Sequence, residues 1–278
     1  MKTHNCTICG SESQLEFKYD LWEVRRCITC THAFSNNIKK NTEVIYDQTY
    51  FEKNWFRYPN INLYKKIKKC LESNFGNGAH IHDLGCGNGN LLEFFHDLGY
   101  NKLSGSDIVS CIGEKLDGKI IFYKSSFEDL KFNESFDFIT SIANIEHVND
   151  VHKYAKILHS SLKPGGICAI YTVNEDALIY LVARVIRKLG ILFASRQLYD
   201  PHHVNHFNKK SLKFLLTQNK FTVLETQTSN FPLKSTDIST KYFPVRWFIL
   251  FFIFILNTLS SLTGTQIAQL IFIQKNDC

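Results

Sequence analysis

The chain has 278 residues, of which 44% are hydrophobic and 21% are charged, with a net charge of +6. These proportions are those of a folded globular protein, and they exclude disordered, collagen-like and coiled-coil proteins. The net charge is too small to indicate nucleic-acid binding by itself. Basic residues are concentrated between positions 177 and 220, where Asp200 is the single acidic residue.

The N-terminal segment is polar and lacks the apolar stretch of a signal peptide, which predicts a protein of the reducing cytosol. It contains two cysteine pairs, 17 residues apart, with two residues inside each pair: Cys6, Cys9, Cys27 and Cys30. This spacing is typical of a four-thiolate zinc site, although accidental pairs or redox-active dithiols share it. We predict a zinc ribbon over residues 1–35, with a structural zinc because four cysteines leave no position open for substrate. A helical linker is expected over residues 36–78.

A strand, a glycine-rich turn and a helix are predicted after the linker. The strand ends at Asp83, the turn contains Gly85, Gly87 and Gly89, and leucines and phenylalanines follow at helical spacing. The glycines let the backbone approach a ligand closely, and the free N–H groups at a helix start suit an anionic or polar group. Asp107 ends a second predicted strand and is placed to hold a ribose diol.

The sequence around this turn, His-Asp-Leu-Gly-Cys-Gly-Asn-Gly at 82–89, resembles the first motif of class I S-adenosylmethionine-dependent methyltransferases. Further motifs of that family follow in the same order: Phe-Glu-Asp-Leu at 127–130, Ser-Phe-Asp-Phe-Ile at 135–139, Asn-Ile-Glu-His-Val at 144–148 and Leu-Lys-Pro-Gly-Gly at 162–166. The resemblance implies an α/β fold, with a doubly wound, seven-stranded Rossmann-like sheet over residues 79–278 whose last strand is antiparallel.

The same resemblance implies which residues hold S-adenosylmethionine: Asp83, Gly85, Gly87, Gly89, Asp107, Phe127 and Asn144. Ser126 stands where the family often has an aspartate that meets the adenine amine. We therefore expect Phe127 and the neighbouring main chain to hold the adenine.

Histidines are the candidates for catalysis on the acceptor. The resemblance implies that His147 faces the acceptor, where it would serve as the base for an enol, phenol or sugar hydroxyl. The alternative is that Glu146 and His147 only brace the loop. His202 and His206 lie in a second group, before a predicted amphipathic helix, and are expected to contact substrate or act as bases. A metal site and plain loop packing are the alternatives there.

A helix over residues 178–189 is predicted to carry an apolar face and, on another face, Arg184, Arg187 and Lys188. That pattern suits an interfacial helix on anionic lipid. Such a helix after the sequence Tyr-Thr-Val-Asn at 171–174 resembles the ubiquinone-biosynthesis O-methyltransferases. The alternative is a solvated basic face on a helix that packs over the sheet.

A second apolar stretch runs from 247 to 256 without a polar residue. Polar residues follow it too soon for a comfortable membrane-spanning helix, which needs about 20 mostly apolar residues. We interpret residues 237–264 as an insertion between the last two strands, predicted at 221–225 and 268–275. It would form a membrane-surface lid or a dimer contact, with a transmembrane helix as the alternative.

Together these patterns predict S-adenosylmethionine-dependent methylation of an oxygen on a small-molecule, lipid-linked or glycan acceptor. The ribbon followed by residues 46–51 also resembles a group of bacterial small-molecule and glycan methyltransferases. We expect a cytoplasmic protein with peripheral contact at the inner membrane face. An RNA methyltransferase is the alternative, although the basic face lacks interleaved aromatic residues and nucleic acid is not the expected partner. A non-catalytic cofactor-binding scaffold is a third hypothesis.

Overall fold

The computed structural model describes residues 5–37, 58–109, 112–200, 202–231 and 242–276. Residues 38–57 of the predicted linker, with the motif at 46–51, and the first residues of the predicted insertion lie outside these ranges. The described part of the linker contains a helix, α1 (Ile61–Asn74), whose first turn is capped by the Asn60 side chain.

The N-terminal segment forms a small antiparallel sheet. Its strands are β1 (Ser13–Lys18), β2 (Trp22–Cys27) and β3 (Ala33–Asn37), with β2 in the middle. A two-residue strand from far along the chain, Asn205–His206, pairs with β3 so that Ala33 lies opposite His206. Main-chain hydrogen bonds therefore join the ribbon to the rest of the molecule, and β3 continues past the predicted boundary at residue 35.

The remaining strands form one seven-stranded sheet. With Asn205–His206 numbered β9, they are β4 (Ile81–Leu84), β5 (Leu103–Asp107), β6 (Ile121–Lys124), β7 (Phe136–Ile142), β8 (Leu162–Val173), β10 (Phe221–Ser229) and β11 (Ala268–Lys275). Their order is β10-β11-β8-β7-β4-β5-β6. Strands β4 to β8 run parallel, and β11 is antiparallel to both β8 and β10. The predicted doubly wound sheet with an antiparallel last strand is confirmed.

Helices cover both faces of this sheet. After α1 they are α2 (Asn90–Asp97), α3 (Val151–Ser161), α4 (Leu178–Lys188), α5 (Phe193–Leu198), α6 (Lys209–Gln218) and α7 (Phe243–Thr263). Side chains alternate along a strand, so β8 contributes Ala169 and Tyr171 to a hydrophobic cluster with α1 and α2. It contributes Cys168 and Ile170 to a second cluster with α3 and α6. These two clusters are the core layers.

The predicted insertion contains one long helix. It begins after Tyr242 and ends at Gly264, which adopts the left-handed conformation that a glycine tolerates at a helix end. Among the described helices, α7 is long and apolar enough to cross a membrane by length and composition. Of its residues only Leu256 and Ser260 are buried, and all five of its phenylalanines are exposed. β10 also reaches Ser229, beyond its predicted end at 225.

Candidate active site

A cavity of about 1410 Å³ opens at the carboxyl ends of β4, β5, β7 and β8. In an open α/β sheet this edge is where ligands bind. One part of the wall, here called the glycine side, is formed by Asp83, Gly85, Gly87, Asp107, Phe127 and Asn144. Another part, the helix side, is formed by apolar residues of α4, α5 and α7, among them Val182, Ile186, Phe193, Phe248, Phe252 and Leu256.

The glycine side is a tight turn held by two side chains. Gly85 has φ of +75°, and a Cβ built on it would lie 2.6 Å from Asn144 Nδ2. That amide nitrogen donates to the Leu84 carbonyl oxygen at 3.1 Å. The Gly87 N–H donates to Asp107 Oδ2 at 2.9 Å, so the carboxylate that ends β5 is fixed against the turn. The structure thus brings four of the predicted cofactor residues together.

Gly89 does not line the cavity. It caps α2 with φ of +84°, and a Cβ there would lie 2.8 Å from Leu116 Cδ1. The turn and the packing against Leu116 therefore explain why a glycine stands at position 89, and contact with a ligand is not needed to explain it.

Asp83 is buried at the end of β4 and lines the cavity. Burial raises the pKa of its carboxyl to about 7, although the Thr140 hydroxyl opposes this by donating to Oδ1 at 2.7 Å. A cationic group bound in the cavity would favour the ionised form. Asp83 can therefore accept a hydrogen bond from an ammonium group at neutral pH.

Glu146, His147 and His203 form a polar cluster on the cavity wall, each offering a ligand or proton-accepting atom within 4.8 Å of the others. His147 Nδ1 lies 2.9 Å from the His202 carbonyl oxygen. A carbonyl only accepts, so in the neutral ring Nδ1 carries the proton and Nε2 keeps its lone pair. Buried Glu146 accepts from the Thr172 hydroxyl at 2.7 Å. The cluster can accept a proton or hold a divalent cation.

Of the three histidines predicted to act on the acceptor, two lie elsewhere. The side chain of His202 is exposed, and only its carbonyl takes part, as the partner of His147. His206 is fully buried, with Nε2 2.8 Å from Ser35 Oγ, and burial lowers its pKa well below the usual value. The described cavity wall contains neither side chain. His206 lies away from the cavity because β9, which contains it, pairs with β3 of the ribbon.

His203, which the sequence analysis did not select, takes the place expected for them. Its ring packs edge-on against His147, with 4.9 Å between ring centroids. Burial, reinforced by His147, lowers the pKa of His203 to about 4, so the ring is neutral at pH 7. No local pattern separates His203 from His202. His203 differs from His202 through its ring contact with His147, 56 residues earlier in the chain.

The four cysteines of the ribbon come together as predicted from their spacing. The distances are 3.5 Å between Cys6 Sγ and Cys30 Sγ and 3.4 Å between Cys9 Sγ and Cys27 Sγ. All four sulfurs lie within 4.8 Å of one another. Zn–S bonds of about 2.3 Å in a tetrahedron give sulfur separations of roughly 3.8 Å. The donor set therefore fits zinc, and the Ile8 and Thr29 N–H groups donate to two of the sulfurs.

The arginines of the predicted basic face are engaged within the protein. Arg184 donates to the carboxylate of Glu175, which is 1% exposed. Arg187 lies over the rings of Phe17 and Tyr19, at 4.7 and 4.6 Å from their centroids. The predicted lipid-facing basic surface is wrong for these residues, because Glu175 and the aromatic residues of the ribbon neutralise or cover them.

Comparisons with known proteins show the family and the fold. A family model described as "Methyltransferase domain" matches residues 57–226. The "Ubiquinone biosynthesis O-methyltransferase" of Rickettsia typhi is 26% identical over 194 residues, covering 65% of this chain and 77% of the relative. The mitochondrial protein of that name from Dictyostelium discoideum is 28% identical over 151 residues, covering 48% and 46%.

Solved structures share the fold. The crystal structure of an S-adenosylmethionine-dependent methyltransferase from Archaeoglobus fulgidus superposes with a TM-score of 0.56 and 17% identity. The similarity covers 82% of this chain and 100% of that one. At this identity the likeness concerns the fold.

Proposed function

From the premise that the chain belongs to the methyltransferase-domain family and is an S-adenosylmethionine-dependent methyltransferase, we propose that its acceptor is a hydroxyl group on a small molecule with a hydrocarbon tail. The main support for the proposal is the composition of the cavity wall. Its wall joins a polar glycine side, a histidine cluster and an apolar helix side in one space. An apolar wall favours a hydrocarbon-bearing acceptor over a free glycan.

The glycine side would hold the cofactor, which supplies an electrophilic methyl group. The Asp107 carboxylate, already fixed by the Gly87 N–H, is suited to accept hydrogen bonds from a ribose diol. Asp83 would accept from the ammonium group of the amino-acid part, and the Phe127 ring would cover the adenine. Tight placement matters because methyl transfer is an in-line displacement that depends on alignment.

His147 would act as the base. Its Nε2 lone pair is free to take the hydroxyl proton of the acceptor, while Nδ1–H stays bonded to the His202 carbonyl. The imidazolium that results would be stabilised by Glu146, whose carboxylate lies beside it. His203, held neutral by burial, would pack against the ring and fix its orientation.

The helix side supports a peripheral position at a membrane surface, on the cytoplasmic face. α4 and α7 line the cavity and also present exposed apolar side chains: Leu181 and Val185 on α4, Leu189 just after it, and Trp247, Phe251 and Phe254 on α7. A contiguous apolar surface of this kind is typical of an interaction site. Because α7 contributes to the cavity wall and leads directly into β11, a surface position fits it better than a crossing one.

The ribbon would bind one zinc ion through Cys6, Cys9, Cys27 and Cys30. The test is to measure the zinc content of the purified protein. We expect one zinc ion per chain in the wild type and loss of this zinc in a Cys27→Ser variant.

The test of the function is methyl transfer to phenols that differ only in an alkyl chain. We expect kcat/KM to rise at least about tenfold from a chain-free phenol to one with a long chain, since each buried methylene contributes about 0.8 kcal/mol. His147→Gln should lower kcat about 100-fold or more without changing affinity for S-adenosylhomocysteine. His202→Gln is the matched control, because its side chain is exposed. Equal rates with and without the chain, or an active His147→Gln enzyme, would contradict the proposal.

A further inference from the structure

We propose that the four-cysteine ribbon is a clamp for the acceptor half of the cavity, and that Glu175 and Asn205 are the positioning residues through which it acts. The acceptor half means the helix side and the histidine cluster, so the inference rests on the proposed function, which assigns these parts of the wall to the acceptor. The cofactor half, the glycine side, would be assembled without the ribbon.

The first connection runs through Glu175. Arg26, next to Cys27 in β2, donates from Nη2 to Glu175 Oε1 at 2.6 Å and from Nη1 to Oε2 at 3.0 Å. The same carboxylate accepts from Arg184 of α4 and from the Tyr199 hydroxyl just after α5. One buried acid thus joins the strand that bears the metal site to both short helices of the helix side.

The second connection runs through Asn205. His32, two residues after Cys30, lies with Nε2 3.3 Å from Asn205 Oδ1. Asn205 Nδ2 donates to the Val148 carbonyl oxygen at 2.6 Å, and this amide is fully buried. Val148 follows His147 directly, so the ribbon fixes the loop that carries the proposed base.

The metal-binding turns and the residue after Cys30 also contact α3 and α6, two helices outside the cavity wall. His152 of α3 donates from Nε2 to the carbonyl oxygen of Ile8, which lies between Cys6 and Cys9. Ile8 and three of the cysteines belong to the same hydrophobic cluster as α3. Asn208, the cap of α6, donates to Thr31 Oγ1 at 3.0 Å.

The glycine side is held by its own neighbours instead. Gly87 bonds to Asp107, Asn144 bonds to Leu84, and the Gly85 N–H donates to the Ser106 carbonyl oxygen. Loss of the metal, or of Arg26, should therefore loosen the acceptor half and leave cofactor affinity intact.

The experiment is amide hydrogen exchange of the zinc-loaded, full-length protein, comparing Arg26→Gln with Arg25→Gln. Arg25 is a matched control, since it bonds to Ser13 and Glu23 inside the ribbon. In Arg26→Gln we expect exchange about tenfold faster over 178–199, the segment joined to the ribbon through Glu175, and unchanged exchange over 145–148, which is joined through His32 and Asn205. Affinity for S-adenosylhomocysteine should stay within about threefold. Arg25→Gln should behave as wild type over both segments.

Removal of zinc by a chelator is the second measurement, and it does not depend on how a variant folds. The same two segments should lose protection while S-adenosylhomocysteine still binds. Unchanged protection there, or loss of cofactor binding together with the zinc, would overturn the clamp. Neither readout involves an acceptor, so failure of the proposed acceptor chemistry would appear only in the phenol assay.

Discussion

At the scale of single residues, the glycine side leaves little room for change. Gly85 needs a positive φ, and its missing side chain makes space for the Asn144 amide that bridges β4 and the end of β7. Position 85 must allow a positive φ and must also leave space for the Asn144 amide. A residue without a side chain meets both requirements, which explains the glycine in the sequence pattern.

Gly85→Ala should weaken binding of S-adenosylmethionine about tenfold or more. The new Cβ would come within 2.6 Å of Asn144 Nδ2 and would force either the turn or the amide to move. Calorimetric titration measures the effect. Gly78→Ala is the control, because its φ is ordinary and a Cβ there meets nothing within 4 Å. Equal affinity in the two variants would show that the cofactor does not use this turn.

At the scale of elements, α7 (Phe243–Thr263) is longer than the apolar run that marks it in the sequence. The run from 247 to 256 is apolar, and the polar residues after it interrupt the pattern. In the structure they bond back along the helix: the Thr258 hydroxyl donates to the Phe254 carbonyl oxygen at 2.9 Å, and the Ser261 hydroxyl to that of Asn257 at 2.8 Å. Satisfied in this way, they let the helix continue to Thr263.

The outer face of α7 predicts binding to lipid. Phe251 and Phe254 are 62% and 54% exposed and lie outside the cavity wall. Changing both to serine should reduce sedimentation with anionic liposomes at least about tenfold, since burial of one phenylalanine contributes about 1.5–3 kcal/mol. Cofactor affinity should not change.

Ile121→Ser is the matched control for that pair. Ile121 is 57% exposed on β6, at the opposite edge of the sheet from β10. If the double variant sediments like this control, α7 is not the lipid-binding surface, and the dimer contact that the sequence also predicts becomes the explanation for its exposed face.

At the scale of the whole molecule, the sequence predicted features that depend on nearby residues and did not predict contacts between residues far apart in the chain. The glycine turn, Asp107 and the cysteine pairs are local patterns, and each predicted the arrangement that the structure has. The burial of His206 and the engagement of Arg187 depend on contacts with ribbon residues about 170 positions away, namely the pairing of Ala33 with His206 and the packing of Arg187 over Phe17. Composition and periodicity carry no information about such partners.

The stability of the whole protein should fall as the pH falls, in part because of His82. This histidine lies inside the sheet between Ser104 Oγ and Ser106 Oγ, and burial lowers its pKa to about 3. The unfolded chain takes up a proton near pH 6.5 and the folded chain does not, so stability is lost progressively as the pH drops from 6.5 toward 3. His203, with a pKa of about 4, acts in the same direction.

Asp83 opposes this trend, since its raised pKa of about 7 means that the folded state binds its proton first as the pH falls. A single substitution isolates the part due to His82. Between pH 6.5 and pH 5 the free energy of unfolding of His82→Asn should decline by about 2 kcal/mol less than that of the wild type, as measured by urea unfolding at each pH. His202→Asn, which changes an exposed imidazole, should follow the wild-type slope. A wild-type slope in His82→Asn would mean that the unfolded chain gains no proton relative to the folded one at this position.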